Sequence, residues 1–175
     1  MGTGYQKYID ILTAKQCNIP VSYTTSANAK AVAEYTVALI LDSVTKITFS
    51  NNQVKQKEWN KIETFNLEGK TLGIVGMGAI GTHIAKILCN GFGMQLIYNS
   101  QTPKGNIDKK YNTQMVSLDE LFERADIISV NATYSKNNIG MITSKQLELM
   151  KQQVILVNTA RQELIDKKRF IQLYF

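Results

Sequence analysis

The strongest constraint on this chain is a change of rhythm at Lys70. Thr71 to Val75 is an apolar run with β-branched residues, too short for a helix, and Gly76 stops it. A helical pattern follows from Ala79 to Leu88. Further short apolar runs come at Gln95 to Tyr98, Asp126 to Val130 and Val154 to Val157, with a minor one near Gln114 to Val116. Between them, Ser117-Leu118-Asp119-Glu120 is a capping box opening a helix that ends near Arg124, and Thr143-Ser144-Lys145-Gln146 is a second. Short, nearly all-apolar strands alternating with helices predict parallel strands buried on both faces. The expected fold class is therefore α/β, a doubly wound parallel sheet.

The N-terminal part reads differently. A short helix is expected at about Ile11 to Gln16, then a strand from Ile19 to Tyr23. A long helix is expected from Asn28, a candidate N-cap, to Ile47, with Val32, Tyr35, Leu39, Val44 and Ile47 at near-helical spacing. That helix is apolar around much of its circumference, which predicts burial on more than one side. Ser50 to Asn66 is polar and irregular and is the expected boundary before the main unit.

Gly76-Met77-Gly78-Ala79-Ile80-Gly81 has the form G-x-G-x-x-G. The pattern alone is weak; directly after a strand and at the start of a helix it predicts a dinucleotide cradle. The first glycine permits the tight turn, the second the approach of a pyrophosphate, and the third close packing of helix on strand. Free N–H groups and the dipole at the helix start attract the phosphates. An acidic residue is expected about 20 positions on, at the ribose hydroxyls. Asn99 stands there instead, the next acid is Asp108, and the nearby cation is Lys104. NAD and NADP both stay open as the cofactor.

Composition excludes several other classes. With 44% hydrophobic and 19% charged residues, the chain is not of the disordered type. The net charge of +6 comes from dispersed lysines, with three arginines in all, which does not favour nucleic-acid recognition. No apolar stretch approaches the ~18 residues of a membrane span, so no membrane partner is expected and a cytoplasmic location is. Cys17 and Cys89 show no metal or redox spacing, and no metal site is predicted. His83, the single histidine, lies in the helix after Gly81 and is expected to be a partly exposed helix residue, not a catalyst.

Several motifs in order carry a resemblance. They are Val32-Ala33-Glu34, the run from Glu68 through Gly81, Phe92-Gly93-Met94, and Ser117 to Leu121. Ala125 to Ile128, Met150-Lys151 and Asn158-Thr159-Ala160-Arg161 complete the series. Together they resemble the D-isomer-specific 2-hydroxyacid dehydrogenase family over nearly the whole chain, with the last residues, roughly Phe170 to Phe175, unlike it.

The resemblance implies a Rossmann-like nucleotide-binding unit at 60–175, incomplete at its C-terminal edge, with Val154 to Val157 near an uncovered edge. It also implies an interdomain helix and linker at 26–59 and a remnant of the substrate domain at 1–25. Within that remnant, Gly2-Thr3-Gly4-Tyr5 resembles the family's carboxylate-binding turn. Arg161 matches the arginine that pairs with the substrate carboxylate and keto group, a role suited to its planar fork. Ala132-Thr133, where the family usually has a Pro, and Thr159-Ala160 match further cofactor contacts. The family's acid–base His and the Glu that tunes it come after the position of Phe175. The resemblance thus implies an oxidoreductase acting on the CH–OH group of a 2-hydroxy or 2-oxo acid, able to bind cofactor without turnover in this chain alone. It further implies a homodimer through helix 28–47. The residues leave two other readings open: a nucleotide-binding sensor or interaction module, and a gene remnant.

Overall fold

The computed structural model describes residues 9–22, 24 and 26–166. Helix α1 (Ile11–Gln16) is capped by the Asp10 carboxylate, which accepts from the backbone N–H of Leu12 and Thr13. Helices α2 (Ala29–Thr45) and α3 (Ile47–Lys55) follow. Then come β1 (Thr71–Val75), α4 (Ala79–Phe92), β2 (Gln95–Asn99), α5 (Gly105–Tyr111), α6 (Leu118–Arg124), β3 (Ile127–Val130), α7 (Ser144–Leu149) and β4 (Ile155–Asn158). All strand pairs are parallel, in the order β2-β1-β3-β4. The order reverses between β1 and β3, so the crevice of a doubly wound sheet opens at their C-terminal ends.

Alternation along each strand feeds two cores. Leu72, Ile74, Leu96, Tyr98 and Ile127 face α2 and α4. Val75, Ile97, Ile128 and Val130 face α6 and α7. This is why the strands read as nearly unbroken apolar runs. Among the described residues strand β4 ends the row beyond β3, and three of its four residues are only half-buried. Both capping positions were legible: the Ser117 hydroxyl accepts from Glu120 N–H, and Thr143 and Gln146 form the full reciprocal box.

Residues 19–22 and 24 form no strand; Ile19 is exposed, Pro20 has no N–H to donate, and no neighbouring edge pairs with them. The long helix breaks at Lys46, which takes a left-handed φ of 57°. The break restarts as α3, inside the stretch expected to be irregular. Asp42 makes the restart possible: its carboxylate accepts from Thr48 N (2.7 Å) and Thr48 Oγ1 (2.8 Å) in place of a cap. Those bonds hold its carboxyl below the usual range.

The expected apolar residues of the long helix are buried only in part: Val44 is buried, and Val32 and Leu39 are half-buried. Ala33, Thr36, Val37, Ile40 and Val44 are buried, whereas Tyr35 and Ile47 are exposed. Asn28 occupies the N-cap position but makes no side-chain cap bond. The minor strand near residue 115 is a single parallel bridge, Tyr98 to Met115.

Helix α5 has no apolar pattern to announce it and buries no residue. Tyr98 fixes it from below. The fully buried ring ends in a hydroxyl that donates to Asp108 Oδ1 (2.6 Å) and accepts from Lys104 N (2.7 Å). Burial, then the Asp108 bond, push the Tyr98 phenol above its ordinary pKa. No helix among the described residues is long and apolar enough to cross a membrane.

Candidate functional site

The site lies at the C-terminal ends of β1, β3 and β4. Gly76 leaves β1 with φ of +96°, a conformation that L side chains rarely adopt. A Cβ there would also stand 2.5 Å from Ala132 N. The chain turns on the bond from Gly76 N to Asn99 O (2.8 Å) and from Gly78 N to Gly76 O (2.9 Å). A Cβ on Gly81 would meet Gly76 O at 2.8 Å and Ile74 Cγ2 at 2.9 Å, so α4 can lie on β1 only with a glycine there.

Gly78 is different. Among the described residues, a Cβ at this position would have nothing within 4 Å. The protein gives no reason for a glycine there; open space above the turn does, if something outside the chain must come close to the backbone. Gly78 is the N-cap of α4 and offers no side-chain cap, so the first amides of the helix stay available to an anion.

The other residues of the motif divide by side chain. Met77 is 3% exposed and belongs to the α2–α4 core, and Ile80 packs against the same core. Their side chains are structural, leaving only their backbone at the turn. Ala79 is exposed. His83 is half-buried on α4.

Asn99 ends β2 and donates through Nδ2 to Val116 O (2.9 Å). Its amide nitrogen is used to hold the 115–116 segment, and its carbonyl oxygen is the remaining acceptor. The position is thus polar and uncharged for a structural reason.

After β3, Asn131 N bonds Val75 O (2.7 Å), which draws Ala132 against Gly76. Asn131 Nδ2 donates to Ser129 Oγ (2.9 Å). Its Oδ1 is buried with no partner among the described residues, an orphaned acceptor close under the crevice. Thr133 is exposed, and its carbonyl is held by Asn138 Nδ2 (2.8 Å).

After β4, Asn158 folds the loop. Its Oδ1 accepts from Ala160 N (3.0 Å) and its Nδ2 donates to Arg161 O (3.0 Å). Thr159 Oγ1 lies 2.9 Å from Thr36 Oγ1, which is itself 2.7 Å from Val32 O. Arg161 is exposed, with Nη1 donating to Ala160 O (2.9 Å), and no ion pair is recorded for it among the described residues. Arg161 is extended and Gln162 begins a short 3-10 turn, so the Gln carries no positive-φ strain.

The structure therefore brings Gly76 and Ala132 into contact. Thr159 lies one strand further on, across the register Val130 to Asn158. Arg161 follows on the same loop, while Asn99 lies on the other side of β1, and Gly2 to Tyr5 lie outside the described residues. Sequence reasoning assigned no role to Thr36, Asn131 or Asn158. A threonine within an apolar helical face and an Asn directly after a strand were the available signals.

A parallel sheet with its switch point at β1/β3 and a glycine turn into α4 define a dinucleotide-binding domain of Rossmann type. Comparison with known proteins specifies it. Residues 37–174 match the model for the D-isomer specific 2-hydroxyacid dehydrogenase, NAD binding domain, and the chain belongs to that family. The match runs to residue 174, so the segment from Phe170, expected to be unlike the family, is within it.

A glyoxylate reductase of Aeropyrum pernix is 35% identical over 175 residues, 95% of this chain and 52% of that protein. One from Thermococcus litoralis is 35% identical over 97% of this chain and 53% of that protein. Among solved structures, the D-lactate dehydrogenase of Aquifex aeolicus complexed with NAD and lactic acid superimposes with a TM-score of 0.83 at 30% identity. That superposition covers 95% of this chain and 50% of that one. The chain spans about half the length of the curated relatives it matches.

Proposed function

We propose that this chain carries the cofactor half of an NAD(P)-dependent oxidoreductase acting on the CH–OH group of a small 2-hydroxy or 2-oxo acid. The observation that carries this reading is Gly78: it is the one glycine of the turn with open space where a Cβ would be. The orphaned Asn131 Oδ1 beneath the crevice and the uncapped start of α4 add polar groups that suit a dinucleotide.

In this reading the backbone at Gly76 to Gly81 holds the pyrophosphate, and Asn99 lies at the adenosine ribose. Ala132, Thr133, Thr159 and Ala160 line the nicotinamide half. A bound nicotinamide would supply or accept a hydride at the acid's C2. Arg161, exposed and in no ion pair among the described residues, grips the acid's carboxylate through two parallel N–H bonds and orients its C2. A guanidinium does not release its proton near neutral pH, so Arg161 polarises the carbonyl and the proton comes from another group. Asn99, neutral, repels neither NAD nor NADP. In support of the reading, the first relatives matched are glyoxylate reductases and the Aquifex aeolicus enzyme is named as binding NAD.

We further propose the division into a substrate-domain segment at 1–25, a linking segment at 26–59 and the nucleotide-binding unit from residue 60, in a cytoplasmic protein. Exposed Tyr35, Ile47, Phe49 and Val54 support a homodimer through helix 28–47 and its continuation.

Calorimetric titration with NAD(H) and NADP(H) tests the central reading. Gly78→Val is expected to bind at least ~100-fold more weakly than the parent chain, since the side chain fills the space the pyrophosphate needs. Equal affinities in the two proteins would remove the basis for the reading.

A further inference from the structure

We propose that Thr36 is a positioning residue. It fixes the Thr159 hydroxyl so that Thr159 offers only acceptor lone pairs to the crevice, and the donor it receives is the carboxamide N–H of a nicotinamide. The inference rests on the dinucleotide reading above.

The two threonine hydroxyls carry one proton each, and that fixes their directions. Thr36 is fully buried in the otherwise apolar inner face of α2. Its Oγ1 is 2.7 Å from Val32 O, and a carbonyl can only accept. A hydroxyl has one proton, so that of Thr36 is committed to Val32. The bond at 2.9 Å between the two threonine hydroxyls must then be donated by Thr159. Thr159 in turn has spent its proton, and both of its lone pairs remain. It is half-buried, so part of it stays open. A ligand group that meets Thr159 must therefore be a donor; an acceptor there would face lone pairs.

Topology says which donor. Gly76, Ala132 and Thr159 follow one another across the ends of β1, β3 and β4, away from Asn99 on β2. A dinucleotide with its adenosine at Asn99 and its pyrophosphate at Gly78 extends its nicotinamide half over Ala132 and Thr159. The carboxamide is the terminal group of that half, and Thr159 directly follows β4, which ends the row among the described residues. The Thr36 hydroxyl ties the loop after β4 to α2 and at the same time sets the direction of the Thr159 proton; valine would fill the same volume and do neither.

The test uses the 175-residue chain and two ligands, NAD and 3-acetylpyridine adenine dinucleotide, whose acetyl group keeps the carbonyl and lacks the N–H. The chain is expected to prefer NAD about five- to tenfold, the worth of one hydrogen bond. Thr36→Val, equal in shape, frees the Thr159 proton to turn outward, and the preference is expected to fall to about one. Thr36→Ser keeps the acceptor and should keep the preference, which a merely structural role for the hydroxyl would not require. Full preference retained in Thr36→Val, or no preference in the parent chain, overturns the proposal while leaving cofactor binding intact. If Thr36→Val does not fold, Thr36→Ala decides: it also removes the acceptor of the Thr159 proton, so loss of the preference supports the proposal and retention overturns it. A parent chain that binds neither dinucleotide overturns both this proposal and the reading it rests on.

Discussion

The turn after β1 and the loop after β4 stand at the same end of one sheet, two strands apart, and they are held by opposite means. The first is held by what is missing. Gly76 and Gly81 leave no room for a Cβ, and the backbone of β1, α4 and the Ala132 segment closes on itself. The second is held by what is present. Asn158 bonds Ala160 N and Arg161 O, and Thr36 reaches from α2 to Thr159. A turn built on sterics is rigid and tolerates no side chain at those two positions. A loop built on a few polar bonds gives way by degrees, and its arginine is exposed, with Nη1 on Ala160 O.

The contrast is broken most severely at Gly76. Gly76→Ala forces a side chain into φ of +96° and against backbone at 2.5 Å. The expected cost is at least ~3 kcal/mol of stability. In a domain of this size that is a fall of roughly 6–12 °C in melting temperature. Gly78→Val, two residues on, is expected to leave the melting temperature nearly unchanged while binding is lost. Similar thermal shifts for the two variants would mean that the turn is not divided as described.

The β4 loop should yield less. Asn158→Ala removes two hydrogen bonds at once and is expected to cost about 1–2 kcal/mol. Hydrogen exchange at Ala160 N–H should rise with it, while the amides of β1 keep their protection. Rapid exchange at β1 as well would show that the two regions are one cooperative unit.

Asn99 lies on the border between the two modes. Asn99→Asp restores the charge that repels a 2′-phosphate, but sets an oxygen against Val116 O in place of the present donor. The expected outcome is a shift of up to about tenfold toward NAD, or about 1.4 kcal/mol, together with a lower melting temperature. A shift in preference with no thermal loss would show that the Val116 bond is dispensable.

The smallest effect is expected at the opposite end of the sheet. Burial alone would raise the Asp126 carboxyl. Lys151 Nζ at 2.9 Å and Thr71 N–H at 2.8 Å outweigh burial and hold it below its ordinary value of 3.8. A carboxyl depressed in the folded state gives stability that is present above its unfolded pKa and lost as pH falls through the folded one. The parent chain should therefore melt higher than Asp126→Asn at pH 7, and the gap should close below about pH 4. A gap unchanged down to pH 2 would assign it to packing.

Local chemistry determined much of this protein in the sequence itself. Short apolar runs required strands covered on both faces, Ser117 and Thr143 announced their helices, and three glycines at fixed spacing marked the turn. Those signals act over a few residues, so they survive in a one-dimensional reading. Tertiary structure alone decided the rest, because the partners are distant in the chain. Asp42 ends one helix and starts another through Thr48. Tyr98 orders the polar segment 104–111 through a hydroxyl that no apolar pattern reveals. The inner face of α2 is set by what α4 and β4 offer, which turns Tyr35 outward and buries Thr36. A threonine between Tyr35 and Val37 becomes informative only when Thr159, more than a hundred residues later, is brought to 2.9 Å from its oxygen.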